Sequence, residues 1–386
     1  KRPTFEVSWK DPTEPLRLGK VATLVGEARY FFGLPVTAGQ VRYRVTREPV
    51  YPWWWRCFGF FIDARGSQTV GSGVAALGGD GTFKVTFTPD ADPRQQATKA
   101  GKDVSYRYVV KADLTDEGGE TRSASRSFRL GFVAVEATIS LDAGFVAKGS
   151  HEKLQIRRQS LDGTPRAGDG SFQLFALKEP PKTLTPADLP RPEKPKEDGH
   201  AADFQTPGDK LLPRWDRSRQ AESFLASFAD GEVKAQGKLS HGADGSAQVT
   251  LPDLPAGAYR LRYKTQDEFG ATAESWKEFV VADGKTQVAL PLVAVLEKTQ
   301  VRVGEKARLL ISSGLPDQTV FLELFRDGKL LERRMLPAAA QGIIELPIGE
   351  EDRGGIGVQV FAVRDHQYMT RSMSVSVPWD NKELKL

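Results

Sequence analysis

The chain repeats one order of events three times, and this self-similarity restricts its fold more than any single motif. Each copy opens with an alternating stretch and a glycine step into a second one: Leu18-Gly19-Lys20-Val21-Ala22, Ala147-Lys148-Gly149-Ser150 and Val303-Gly304-Glu305-Lys306-Ala307. A turn with proline follows, at Phe32-Gly33-Leu34-Pro35-Val36, Leu161-Asp162-Gly163-Thr164-Pro165 and Ser313-Gly314-Leu315-Pro316-Asp317. A glycine turn then leads into a short strand at Gly79-Asp80-Gly81-Thr82-Phe83, Ala243-Asp244-Gly245-Ser246-Ala247 and Gln341-Gly342-Ile343-Ile344. Two alternating runs close each copy, for example Tyr106 to Asp113 with Ser123 to Leu130, and Tyr259 to Thr265 with Trp276 to Val281.

Apolar and polar residues alternate through these runs, as in Ala258-Tyr259-Arg260-Leu261-Arg262-Tyr263, the period of a strand with one buried face. No stretch of similar length keeps a helical period. Some seven short strands per copy, divided by Gly, Asp and Pro turns, predict an all-β chain of three consecutive antiparallel β-sandwich domains of the immunoglobulin and fibronectin kind. The expected spans are 3–131, 132–290 and 291–377, with 378–386 beginning a further module. The copies differ in length. The excess in the first falls around Tyr51 to Phe58 and in the Gly-rich Val70 to Gly79. In the second it is a Pro-rich insertion, 178–220, whose Lys, Glu, Asp and Pro content predicts an extended, weakly structured excursion.

With 386 residues the chain is long enough for several cores, and its longest apolar runs, such as Phe58 to Ile62 and Phe279 to Ala282, are far too short to span a bilayer. A balance of 54 basic against 50 acidic residues, mixed along the chain, gives no basic stripe for nucleic acid. The single Cys57 excludes an internal disulfide framework and any multi-cysteine zinc site. Lys1 to Val7 carries no initiator methionine and no signal region, so the chain reads as a piece of something longer.

Few residues suggest chemistry. His151, His200, His241 and His366 are scattered, none in a nucleophile elbow or a metal-spaced pair, and read as surface or turn residues. Asp113, Asp116 and Glu117 read as solvated turn carboxylates. Asp80-Gly81, Asp162-Gly163, Asp244-Gly245 and Asp327-Gly328 lack the ligand spacing of a calcium loop and read as hairpin turns. No catalytic residue, cofactor site or metal site is expected. The unusual cluster is Trp53, Trp54 and Trp55 with Phe58, which cannot all face one side of a strand. It is expected to contact a neighbouring module or a partner, with core filling and a sugar platform as alternatives; Cys57 within it reads as a buried, inert thiol. Arg214, Arg217 and Arg219 in the insertion mark a stretch open to trypsin-like proteases, where a plain surface insertion is preferred to a bait or a docking site.

Several of these stretches resemble the bacterial alpha-2-macroglobulin-like family. Pro3-Thr4-Phe5-Glu6-Val7 followed by Ala28 to Val36 looks like the opening of a macroglobulin-like module, and Val303 to Ile311 is similar to the opening of a later one. The ending, Val375 to Leu386, resembles the hand-over to the next module. The resemblance implies macroglobulin-like sandwiches that scaffold a broad-spectrum protease inhibitor, in which bait cleavage triggers rearrangement and a thioester elsewhere captures the protease. That thioester needs a Cys-Gly-Glu-Gln type sequence, whereas Cys57 is followed by Phe58-Gly59-Phe60, so this chain lacks it. The implied partners are neighbouring modules and, through the longer protein, target proteases. The implied location is periplasmic or secreted, with lipid anchoring through a missing N-terminus left open. A multi-domain surface adhesin or glycan-binding sandwich protein is the alternative, and accessory sandwiches of a carbohydrate-active enzyme are a third reading.

Overall fold

In a computed structural model, which describes residues 4–12, 15–51, 67–93, 104–189, 207, 211, 222–285 and 287–379, six sheets, antiparallel but for the short parallel pairing of β9 with β15, form three sandwiches. The first sandwich contains β1 (Phe5–Trp9), β2 (Ala22–Tyr30), β3 (Gly39–Val50), β4 (Gln68–Ala75), β5 (Thr82–Phe87), β6 (Ser105–Asp116) and β7 (Thr121–Leu130). Its sheets run in the order β1-β2-β5 and β4-β3-β6-β7. The second contains β8 (Val135–Leu141), β9 (Val146–Ala147), β10 (Lys153–Ser160), β11 (Gly168–Lys178), β12 (Ala229–His241), β13 (Ser246–Thr250), β14 (Gly257–Gln266) and β15 (Thr272–Ala282), in the orders β13-β10-β8 and β12-β11-β14-β15-β9. The third contains β16 (Val293–Leu296), β17 (Lys306–Ser312), β18 (Val320–Arg326), β19 (Lys329–Leu336), β20 (Gly342–Pro347), β21 (Ile356–Arg364) and β22 (Gln367–Val375), in the orders β16-β17-β20 and β19-β18-β21-β22. Apart from the short β9, the three topologies coincide.

Alternation places one residue in two inside. In β6, Tyr106, Tyr108, Val110, Ala112 and Leu114 are fully buried beneath Leu24, Phe83 and Val85 of the facing sheet. Leu154, Ile156, Leu174, Leu261 and Tyr263 fill the second core, and Leu309, Val320, Leu322, Val358 and Val360 the third. The fourth strand of each sandwich departs from its partner's register in the portion next to the preceding hairpin connection, opposite Val45/Thr46, Leu174/Phe175 and Leu324/Phe325. Such bulges twist an edge away from flat pairing.

Three sequence expectations change. The Gly-rich stretch from Val70 is no insertion, because Gly71 and Gly73 lie within β4, where Gly73 leaves room for the Tyr43 ring. The extra length of the first copy therefore lies in the β3–β4 connection, residues 51–67, and in the β5–β6 connection, residues 88–104. The longer connection of the second copy, 179–228, joins the equivalent strands β11 and β12, while Asp327 and Gly328 alone join β18 to β19. Of the four Asp-Gly steps, only Asp327-Gly328 makes a hairpin between paired strands, with φ of 49° and 74°. The other three glycines also have positive φ, but they turn the chain between sheets: Gly245 closes on Arg158 N, which donates to its carbonyl at 2.7 Å. Finally, His241 is not a surface histidine. It is 5% exposed, and its ring joins the Gly245 carbonyl through Nδ1 (2.9 Å) and the Tyr263 hydroxyl through Nε2 (2.6 Å). A carbonyl only accepts, so Nδ1 carries the proton and the Tyr263 hydroxyl donates to Nε2.

The two turn glycines of the second sandwich should separate strain from collision. Both Gly163 and Gly245 hold φ near the left-handed region, at 82° and 69°, but an added Cβ meets open space at Gly163 and lies 2.2 Å from the Arg158 carbonyl oxygen at Gly245. Urea unfolding should show Gly163→Ala losing about 1 kcal/mol and Gly245→Ala losing at least about 3 kcal/mol.

Candidate functional site

The two junctions between sandwiches are built from opposite chemistry, and the second of them is the site at which most buried groups converge. Its base is the outer face of β16, β17 and β20. Leu309, Leu310 and Ile311 are all buried, because Leu309 and Ile311 point into the third core while Leu310 points out toward the second sandwich. Val280 and Ala282 at the end of β15 do the same from the other side. A strand buried on both faces reads as a continuous apolar run. Phe279 to Ala282 and Leu309 to Ile311 are such runs, and that continuity is the signal by which the sequence carries this junction.

The Pro-rich insertion supplies the rest. Its outgoing stem crosses to the third sandwich: the Ala289 amide donates to Glu179 Oε2 (2.7 Å), and the Thr183 hydroxyl donates to the Gly314 carbonyl (2.8 Å). Farther along, the Ala187 amide donates to Gln367 Oε1, and Gln367 Nε2 donates to the Thr185 hydroxyl, both at 2.8 Å. Gln367 is 3% exposed, so this amide is spent wholly on the stem. The returning stem forms α1 (Glu222–Ser227), whose Phe224 and Leu225, with Phe228 beyond it, enter one apolar cluster with Phe145, Leu177, Val288, Leu290, Val293 and Leu310. Within the described part of 178–220, the stretch 178–189 is therefore ordered, with Thr183, Thr185 and Ala187 buried, and Phe224, Leu225 and Phe228 are buried just beyond the insertion.

Arg260 on β14 fastens the returning stem. Its side chain is almost wholly buried, yet every direction is satisfied: Nε donates to Glu278 Oε1 (2.9 Å), Nη1 to Asp230 Oδ1 (2.5 Å) and the Phe228 carbonyl (3.1 Å), and Nη2 to the carbonyls of Leu225 (2.9 Å) and Ala226 (3.1 Å). A helix ends with unsatisfied carbonyls and a partial negative charge, and a planar five-donor cation answers both. Backbone approach completes the junction. Gly144 N donates to the Glu297 carbonyl (2.9 Å), and an added Cβ on Gly144 would lie 2.1 Å from the Leu296 carbonyl oxygen.

The junction of the first and second sandwiches is polar. The Arg129 amide donates to Asp162 Oδ1 (2.9 Å), while its guanidinium donates to Ser105 Oγ (2.6 Å) and Glu136 Oε2 (3.1 Å). The Ala134 amide donates to Asp267 Oδ2 (2.8 Å). The Arg17 guanidinium lies over the Phe269 ring at 3.6 Å. No apolar cluster of buried residues bridges these two sandwiches among the described residues. An open cleft of about 870 Å³ separates them instead, bordered by Arg17, Arg126, Phe132, Asp162 and Phe269.

The residues singled out from sequence, Trp53, Trp54, Trp55 and Phe58 on one side and Arg214, Arg217 and Arg219 on the other, lie outside the described residues, as do Cys57 and His200. Both groups belong to the same topological connection in their respective sandwiches. Displaced carboxyl groups are held low, the direction opposite to that of a general acid: Asp113 by the Ser123 hydroxyl, Glu27 by Lys10, Glu332 by Arg334 and Glu345 by Lys306. Burial raises the phenols of Tyr106, Tyr108, Tyr259 and Tyr263. Among the described residues no group of three or more His, Cys, Asp or Glu side chains is arranged to hold a metal ion, and no helix is long and apolar enough to cross a membrane.

No protein-family model and no curated protein matches the chain. Solved structures to which it is similar include Escherichia coli alpha-2-macroglobulin in its native conformation (14% identity, TM-score 0.35) and a mutant Salmonella alpha-2-macroglobulin (13%, 0.35), each match covering 98% of this chain and 23% of that one. A tetra-tandem repeat from the extending region of a large adhesion protein is also similar (14%, 0.23), with 97% of this chain and 74% of that one covered. The chain therefore spans less than a quarter of the length of these two alpha-2-macroglobulins.

Removing the fastening should uncouple the second and third sandwiches. Arg260→Met removes the cation from between Glu278, Asp230 and the helix-end carbonyls and should cost about 3–5 kcal/mol, as should Phe224→Ala through the cavity it opens. In scanning calorimetry each variant should resolve a separate transition for the third sandwich.

Proposed function

We propose that the chain is a non-enzymatic scaffold, in which the second and third sandwiches move as one body and the first pivots against it. The observation that carries this reading is the contrast between junctions: an apolar cluster threaded by both stems of the insertion at one, and a handful of charged and polar contacts around an open cleft at the other. Contacts of the second kind resemble transient interfaces, across which relative motion is the ordinary expectation.

The sequence resemblance supplies the setting. In a bacterial alpha-2-macroglobulin such a scaffold would hold the geometry of a protease trap and carry the displacement that follows bait cleavage, in the periplasm or outside the cell. The decisive experiment uses the longer protein that contains these modules. Incubated with elastase or trypsin and passed over a sizing column, it should retain the protease in a complex, whereas this chain alone should leave protease turnover unchanged. A longer protein that holds no protease but binds glycan arrays through these sandwiches would replace the trap with the adhesin reading.

The pivot has its own signature. Raising salt from about 0.1 M to about 1 M shortens the screening length from roughly 10 Å to 3 Å, which weakens the Arg129–Glu136 ion pair across the first junction but not the apolar junction. Small-angle scattering should show a broader distribution of overall dimensions at high salt. A two-sandwich variant lacking the first should show no change.

A further inference from the structure

The three fourth strands occupy equivalent sheet edges, and they are not guarded alike. Among the described residues β4, β12 and β19 each pair with one neighbour only, leaving a row of backbone groups turned outward. Natural edges are protected by charged side chains and bulges. All three strands depart from register near the preceding connection, but β12 also carries Asp230, Glu232, Lys234 and Lys238, and β19 carries Lys329, Glu332, Arg333 and Arg334. By contrast β4 reads Gln68-Thr69-Val70-Gly71-Ser72-Gly73-Val74-Ala75, with no charge and no proline. Beyond the irregularity, Gly71 to Ala75 keep regular pairing with Val45 to Val41, and Val74 is 63% exposed.

We propose that the β4 edge receives an extended segment of a partner as an added strand, and that this segment carries carboxylates on alternate residues. Backbone pairing gives such additions their affinity and alternate side chains their selectivity. The selectivity here comes from β3. Arg42 and Arg44, opposite Val74 and Ser72, are exposed on the outer face of the sheet, and Lys111 stands opposite Arg44 on β6. The carboxylate opposite Arg42, Asp113, is engaged by Lys111 at 3.0 Å and by the Ser123 hydroxyl. An added strand would lie about 4.8 Å beyond β4, with only Ser72 and Val74 between its outward side chains and the two guanidinium groups. The same charges oppose a second copy of this chain, because edge-to-edge pairing of two β4 strands would bring two sets of Arg42 and Arg44 together.

The test uses the full chain and two capped peptides, one alternating valine with glutamate and one alternating valine with lysine. Fluorescence anisotropy of labelled peptide reads affinity, and hydrogen–deuterium exchange of Gly71 to Ala75 reads the place. The glutamate peptide should bind about tenfold tighter than the lysine peptide, equivalent to about 1.4 kcal/mol, and should slow exchange at the β4 edge. Arg44→Glu and, independently, Ser72→Glu, both on the solvent-facing side, should each remove that preference while leaving the melting temperature near that of the parent. Failure of both peptides to slow exchange at β4, or equal binding regardless of charge, overturns the proposal. Concentration-dependent protection of β4 without peptide also overturns it, in favour of a second copy.

Discussion

A cation buried among carbonyl groups holds the second junction together. Arg260 could have been replaced in most strands by an apolar residue at no cost, yet here it sits where a short helix ends and two carboxylates converge. Burying a guanidinium is tolerable only when all of its donors are used. The carbonyls of Leu225, Ala226 and Phe228 exist in that arrangement only because the helix stops there, and Phe224, Leu225 and Phe228 can be buried only because the helix is held. Fastening and apolar contact are therefore interdependent: neither is favourable without the other.

The opposing characters of the two junctions follow from what each strand end offers. At the first junction the chain leaves β7 through Gly131 and meets turns capped by Asp162 and Asp267, whose carboxylates accept backbone amides and leave little apolar surface to bury. At the second, β15 ends in Phe279-Val280-Val281-Ala282, every residue of which is buried. The same seven-strand frame thus yields a compliant joint or a stiff one according to a few residues at its ends.

Much of the frame was legible. Alternation in β6 and β14 located strands to within a few residues, and the recurring glycine turns set their order. The junction was less so, because alternation is a rule for strands with one wet face, and β15 and β17 have none at their ends. His241 escaped because Tyr263, the hydroxyl its ring meets, stands on β14 across β11 from β12, a placement that a linear reading does not reveal. Composition hid the stems of the insertion: Pro, Lys and Glu dominate its centre, while in the outgoing stem the Thr183 hydroxyl donates to the Gly314 carbonyl and the Thr185 hydroxyl accepts from Gln367 Nε2, partners far away in sequence.

Two of the long connections, 51–67 and 179–228, occur at equivalent places, the hairpin from β3 to β4 and from β11 to β12 at the margin of the sheet. Lengthening a connection there disturbs no central ladder, and its entropic cost grows only with the logarithm of its length. The third sandwich, with Asp327 and Gly328 in that place, shows the minimal form. This hairpin is consequently a growth point: material added at it can be spent on the seams between neighbours, so that a chain of near-identical units acquires individual joints without any unit having to change its core.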